Sequence, residues 1–443
     1  MSAPDVNTAA VEDGRPASGA SAASEGGQCL AGLNAATAEE RLAALRELAS
    51  SEVADGASAP PASGYVNNHI HTIYSFSPYS PTKAVWLSRA SGLNVSGIVD
   101  HDSVAGVREY REAGRTLGFP TTAGFELRSD HTGTALGSRR TNNPDQEGVS
   151  YMTFHGLRDS AIDAVAEFLR PVSAARGERN RAMCARLADI SGLSLDYDAD
   201  VLPLSRSAEG GAVTERHLLC ALSLTAIRQY GGALFDFFVD RLLFGPSDRD
   251  RLKKSWETSA YNGSARAAGA PGASCPYGDD FFLYDLIGVL KASLVESFYL
   301  PAGPVECPPL PTLVEFAVAH DIIITYPYLG DVTNSVTGDK KAQEFEDGYL
   351  SELFGILHGL GVGAISYMPA RNSREQIERV RTLADRYGML QISGEDVNSP
   401  RQPFISEASK DPWFANLRET TWKLVEHEKG EINMLHMMKG RAK

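Results

Sequence analysis

The stretch YVNNHIH, residues 65–71, read together with SGIVDHD, residues 96–102, decides the fold class of this chain. Each is a short apolar run that ends in residue types able to bind metal. Alternate residues on a strand point the same way. His69 and His71 therefore present two imidazoles to one side of a first strand, as a chelate requires. Asp100, His101 and Asp102 close a second strand.

The same unit recurs outward from there. Residues 81–92 and 103–118 read as helices, the second stopped by Gly118, with Asp102 or Ser103 as its cap. PTTAGFE (120–126), SYMTFH (150–155), DIIITY (321–326), VGAISY (362–367) and MLQISG (389–394) read as further strands. Between the last two, Ile377, Val380, Leu383, Ala384 and Tyr387 fall at helical spacing before Gly388. Seven strands alternating with helices predict an α/β fold with parallel strands and helical crossovers. Glu126 ends strand three, His155 ends strand four, and Asp396 follows the last strand. In a parallel barrel those ends meet on one face, where active sites sit.

Residues 157–320 break the repeat. Helical patterns at 161–190, 214–230, 233–244 and 280–297, with a Gly/Ala/Pro-rich loop at 261–278, read as a mostly helical insertion. The expected division is a disordered or linker N-terminus with one short helix (1–64, the helix at 37–50), a first barrel part (65–156), the insertion (157–320), and a second barrel part with a C-terminal helix (321–443).

The formal net charge of −14 argues against broad nucleic-acid binding, which needs a basic surface. No apolar run approaches the roughly 20 residues that span a bilayer, and the first residues lack the basic-then-apolar pattern of a secretory leader. Five scattered cysteines make neither a zinc pattern nor a disulfide framework. A reducing, cytoplasmic setting is the expectation. The oligomeric state is not legible.

A mixed set of imidazoles and carboxylates suits Zn, Mn or Fe. It holds more than one ion if a carboxylate such as Glu126 bridges. It would also lower the pKa of a bound water and so generate a hydroxide nucleophile. Singly, each element is weak. An H-x-H pair on a half-exposed strand often does nothing, D-H-D can be a turn before a helix, and a lone His155 more often packs in a core. Their shared placement at strand ends lifts the whole set above those readings.

NHIHTIYSFSPYSP (68–81), GIVDHDSVAG (97–106), GFEL (124–127), TFHGL (153–157) and SGEDVN (393–398) together resemble the PHP family, the polymerase and histidinol phosphatase type. The resemblance covers roughly residues 65–405, interrupted by the insertion. It implies a distorted seven-stranded (β/α) barrel and a metal-dependent hydrolase using Mn, Fe or Zn. By resemblance, His69, His71, Glu126 and Asp396 form one metal site, with Glu126 bridging to a second that includes His155, while His101 belongs to a third. Three positions depart from the pattern. The loop after H-x-H, around Phe76, lacks its acidic or His ligand, Tyr326 stands where A-H-P has His, and Asn398 stands where D-x-H has His. One to two ions are therefore expected rather than three.

The function expected is a phosphoesterase acting on a small phosphorylated metabolite, with Asp102 or His155 moving a proton. The alternatives are a PHP-like barrel that binds metal or ligand without turnover, and a nuclease, which the charge disfavours. Arg371 in MPARNS and Arg401 in NSPRQP are candidates for an anionic substrate, because guanidinium forks match phosphate oxygens. His217 in TERHLLCAL is a candidate ligand or substrate contact, with a helix-face histidine as the equal alternative. Asn398 is expected to hydrogen-bond rather than ligate. Lys340 and Lys341 lie in a polar loop, 329–345, that reads as solvated or as a lid.

Overall fold

The seven apolar runs pair in sequence order into one sheet. The structure, a computed structural model, describes residues 30–54, 64–242, 245–262, 278, 280–331 and 344–441. The strands are β1 (Val66–Ile70), β2 (Val95–His101), β3 (Thr121–Asp130), β4 (Val149–His155), β5 (Ile323–Pro327), β6 (Ala364–Tyr367) and β7 (Leu390–Ser393). The ring nearly closes where the chain after β7 meets β1. There the His71 amide donates to the Val397 carbonyl (2.9 Å) and the Val397 amide to the His69 carbonyl (3.1 Å). Strands β1–β6 are buried along most of their length, as expected for a sheet covered by helices, while β7 leaves Leu390 and Gln391 half-buried.

The expectation of parallel strands holds for β1–β3 and for β5–β7 but needs correcting at β4, which runs antiparallel to both neighbours. A parallel return needs a crossover, usually helical. The chain from 131 to 148 forms no helix. It folds back as a turn, closed by the His131 amide on the Gly148 carbonyl (2.8 Å), so β4 returns beside β3 as a hairpin.

Helix α1 (Ala38–Ala54) packs on α2 (Pro81–Ala90) and α3 (Val107–Leu117), and those two helices pack on the outside of β1–β3. α1 runs past the 37–50 expected. It is anchored by Leu45 and Leu48 and by buried Arg41, which makes a fork-to-fork pair with Glu109 (2.8 and 2.5 Å). α3 starts at Val107, later than the sequence suggested, because residues 103–106 form a turn in which Ser103 Oγ accepts from the Ala105 amide and donates to the Gly210 carbonyl.

Between β4 and β5 lie α4 (Ile162–Ser191), α5 (Glu215–Tyr230), α6 (Leu234–Leu242), α7 (Pro246–Glu257), α8 (Phe281–Phe298) and α9 (Leu310–Ala319). α4 to α8 share a hydrophobic core that takes in Ile73, Tyr74 and Phe76 from the loop after β1. The helical bundle therefore sits over the mouth of the barrel. Glu215–Phe238 is long and apolar enough to cross a membrane, but most of it is buried within this bundle. Cys184, Cys220 and Cys307 are buried thiols, while Cys29 and Cys275 lie outside the described residues. α10 (Leu350–Gly359) and α11 (Arg374–Tyr387) follow β5 and β6. α11 has a capping box of Ser373 and Gln376 and ends on Gly388 at φ 63°. α12 (Ala415–Glu428) and α13 (Met434–Arg441) complete the chain.

Candidate metal centre

The strand register assembles the site. His101 pairs with Glu126 across β2–β3, and Glu126 pairs with Thr153 across β3–β4. The seam between β1 and the chain after β7 sets Asp396 beside His69 and His71. His69, His71, His101, Glu126 and Asp396 line one pocket of about 180 Å³ at the mouth of the barrel. Two overlapping groups have ligand atoms close enough to share an ion: His69, His71 and Asp396, and His71, His101 and Glu126. His71 Nε2 stands 3.4 Å from Asp396 Oδ1 and 3.8 Å from Glu126 Oε2, and His101 Nδ1 stands 3.1 Å from Glu126 Oε2. His71 is common to both groups, and His101 sits with Glu126 rather than apart from it.

Supporting hydrogen bonds fix the His71 tautomer. Asp100 accepts from the Thr72 amide (2.7 Å), from Thr72 Oγ1 (2.6 Å) and from Ser75 Oγ (2.5 Å). Ser75 thus spends its proton on Asp100, and its oxygen accepts from His71 Nδ1 at 3.1 Å. That leaves a bare lone pair on His71 Nε2, directed at the carboxylates. Burial pushes the His71 imidazole down to about 3 despite Asp396, and the positive charges of His69 and Arg216 push it the same way. Burial pushes the Asp100 carboxyl up to about 6 against those hydrogen bonds.

The donor set fits a cation. His69 Nε2 lies 3.1 Å from the bare His71 Nε2 and 3.7 Å from Glu126 Oε2, so His69 must place a proton between them. Burial alone would lower the His69 pKa, yet the bond to Glu126 and the negative charges of Glu126, Asp396 and Asp100 raise it. His69 Nδ1 is buried without a partner among the described residues. A divalent ion can replace that proton using donors already in place.

The other candidates fall elsewhere. His155 lies opposite Gly124 at the first rung of β5, two residues below the Glu126 level. Because β4 is antiparallel, its C-terminal end points away from the mouth, and the β4 residue level with Glu126 is Thr153. His155 belongs to neither ligand group, and burial, with the charge of His69, pushes it down to about 3. Asp102, at φ 49°, turns its carboxylate onto Arg176 and lines a different cavity, on the far side of that guanidinium. The structure thus places neither expected proton carrier in the pocket. Asn398 does line it. Its side chain donates to Asp396 Oδ1 (2.7 Å) and accepts from Arg216 Nη1 (2.6 Å). His217 is buried as the partner of the Thr214 amide (2.9 Å) at the start of α5, its ring edge-on to Phe76. Arg371 Nε donates to the Leu329 carbonyl (3.0 Å), and Arg401 pairs with Asp285 (2.6 Å), and neither is among the residues that line the pocket. Buried Tyr326 receives the Asn142 amide (3.1 Å) and donates to Glu346 (3.4 Å). Lys340, Lys341 and most of the 329–345 loop lie outside the described residues.

Sequence reasoning missed what the bundle contributes to the pocket: Arg176 from α4, Thr214, Glu215 and Arg216 from the start of α5, and Lys291 from α8. Behind them Arg128, Arg176 and Arg179 interlock with Asp102, Glu215 and Glu306 in a buried, charge-balanced cluster that ties β3 to the bundle. Only the short run TERH at 214–217, a helix start rich in polar residues, signalled any of this.

No protein-family profile matches the chain. A curated 5'-3' exoribonuclease of Haemophilus influenzae is 32% identical over 68 residues, which spans 15% of this chain and only 25% of that relative. Among solved structures, a candidate metal-dependent phosphoesterase from Bifidobacterium adolescentis aligns at TM-score 0.47 and 18% identity, over 78% of this chain and 91% of that one. An amidohydrolase from Chromobacterium violaceum, solved with sulfate and no metal, aligns at TM-score 0.47 and 17% identity, over 80% and 96%.

Proposed function

We propose that this chain is a metal-dependent hydrolase, and specifically a phosphoesterase acting on a small phosphorylated molecule, with Mn, Fe or Zn as its ion. The observation that carries the reading is the pair of overlapping ligand groups, His69–His71–Asp396 and His71–His101–Glu126, at the mouth of a barrel pocket. A divalent ion held by those residues supplies Lewis acidity and makes an adjoining water acidic near neutral pH. The chain does the rest. Asp100 and Ser75 hold His71 in its ligating tautomer. Asn398 holds Asp396. Asp396, whose side chain is 41% exposed, keeps one face of the cluster open to a substrate. The bundle narrows the pocket to about 180 Å³, a volume that suits a compact substrate. The partial likeness to an exoribonuclease keeps nucleotide phosphates within that class, while the charge of −14 argues against a long nucleic acid.

A reading as a binder without turnover draws on Tyr326 and Asn398, which occupy two positions where the PHP pattern has ligands. One experiment separates the two. Protein purified without chelator is analysed for metal, and wild type and Asp396→Ala are compared on a panel of phosphate monoesters and diesters with added Mn. Hydrolysis by wild type that Asp396→Ala abolishes supports the enzyme. Equal rates across every substrate and metal favour the binder, and absence of bound metal at micromolar supply removes the enzyme and any metal-binding form of the binder.

A further inference from the structure

We propose that Arg216 is the substrate-positioning residue of this pocket, the cation that receives the non-bridging oxygens of an anionic substrate, with Asn398 as its tether to the metal-binding carboxylate. The inference rests on the hydrolase reading and adds to it the group that selects an anion. Three basic side chains line the pocket among the described residues, and they differ in what they meet. Arg176 is buried against Asp102 and Glu215. Lys291 faces Asp145 at 3.5 Å. Arg216 meets a neutral amide, donating through Nη1 to Asn398 Oδ1 at 2.6 Å. A guanidinium bonded to a carboxamide keeps its positive charge uncancelled.

Its position suits the task. Asn398 Nδ2 donates to Asp396 Oδ1 at 2.7 Å while its Oδ1 accepts from Arg216, so the carboxamide is held from both sides, and Gln402 Oε1 accepts from the Asn398 backbone amide at 2.8 Å. Arg216 is thus fixed two hydrogen bonds from the ligand cluster, near enough for its charge to act on His71. It stands in the first turn of α5, a 16-residue helix whose positive end adds to the same field. The side chain is half-buried, so an anion can reach it. Guanidinium binds phosphate through paired N–H donors in a geometry that an ammonium cannot copy. An anion lodged between Arg216 and the ion site would set its reacting bond over the cluster.

The test uses the metal-loaded full chain, with inorganic phosphate as the probe. Binding is measured by calorimetry for wild type, Arg216→Gln and Arg216→Lys, with metal content determined on the same samples. The expected result is unchanged metal content, phosphate binding weakened on the order of tenfold or more in Arg216→Gln, and a smaller loss in Arg216→Lys. With a hydrolysed monoester, KM should rise more than kcat falls. Phosphate binding that is equal in wild type and Arg216→Gln overturns the proposal. So does wild type that binds no phosphate at millimolar concentration, or metal lost in parallel with phosphate. Wild type that binds phosphate through Arg216 yet hydrolyses no ester would sink the enzyme reading and leave this one standing.

Discussion

At the scale of single residues, the centre depends on which nitrogen of His71 is bare, and that is decided by Ser75. Its hydroxyl proton goes to Asp100, so its oxygen can only accept from His71 Nδ1. Ser75→Ala removes the acceptor and lets the ring reverse its tautomer. Metal affinity, read by competition with a chromogenic chelator, is expected to fall about 10- to 100-fold, and an unchanged affinity would refute the relay. His69→Ala should remove the ion held by His69, His71 and Asp396, whereas Asn398→Ala, which removes a hydrogen-bonding amide, should leave most of that metal in place. Equal metal loss in the two variants would contradict this assignment. The candidate ligands His69, His71 and His101 were legible in the sequence because H-x-H and D-H-D are local patterns on strands, and Glu126 and Asp396 because each lies at or just after a strand end. Ser75 and Arg216 were not. The role of a serine in a loop depends on what its proton meets, and Arg216 earns its place only because α5 begins at the pocket wall.

At the scale of elements, the strands and most helices could be read from periodicity, but the direction of β4 could not. Strand direction is settled by how a connection folds, and residues 131–148 carry no helix to bring the chain back parallel. That single reversal explains why His155 lies below the site and Thr153 beside Glu126. The hairpin also leaves a mark at Gly124. A Cβ there would come within 2.0 Å of the Phe154 carbonyl oxygen, an atom fixed in the β4 backbone. Gly124→Ala must therefore push β3 and β4 apart, at a cost of about 3 kcal/mol in unfolding free energy. Urea denaturation monitored by circular dichroism measures it, and a loss below experimental error would mean that the two strands do not pair in this register. The bundle was visible as helices at 161–190, 214–230 and 280–297, yet its packing over the mouth was not. The contacts that place it, Phe76 on His217 and the arginine cluster on Glu215 and Glu306, join residues far apart in the chain.

At the scale of the whole molecule, buried carboxyls set how stability follows pH. Glu215 is held well below the usual carboxylate range by Arg128, Arg176 and Arg179, which outweigh its burial. Glu346 and Glu428 go the other way. Burial pushes each up to about 7, Glu428 in spite of Arg111, and Glu346 in spite of backbone donors that include the Leu329 amide (2.9 Å). For a carboxyl whose folded pKa is raised, both states are protonated at low pH and the group is neutral in its effect on folding. As pH passes the unfolded value near 4.5, the unfolded chain ionises first and gains stability relative to the fold. The penalty grows until the folded group ionises near 7 and is constant above that. A shift of this size corresponds to a loss on the order of 3 kcal/mol between pH 4.5 and pH 8 for Glu346 alone. Glu346→Gln cannot ionise and keeps an oxygen for the Leu329 amide. Its unfolding free energy should therefore lose less than the wild type's as pH rises from 5 to 8, so that the difference between the two grows with pH whatever its value at pH 5. Chemical denaturation of both proteins at several pH values, with chelator present so that metal binding does not contribute, reads that difference directly. Parallel pH profiles would show that Glu346 ionises in the fold as readily as in the unfolded chain, and that the interior around Tyr326 and Glu346 is open to water.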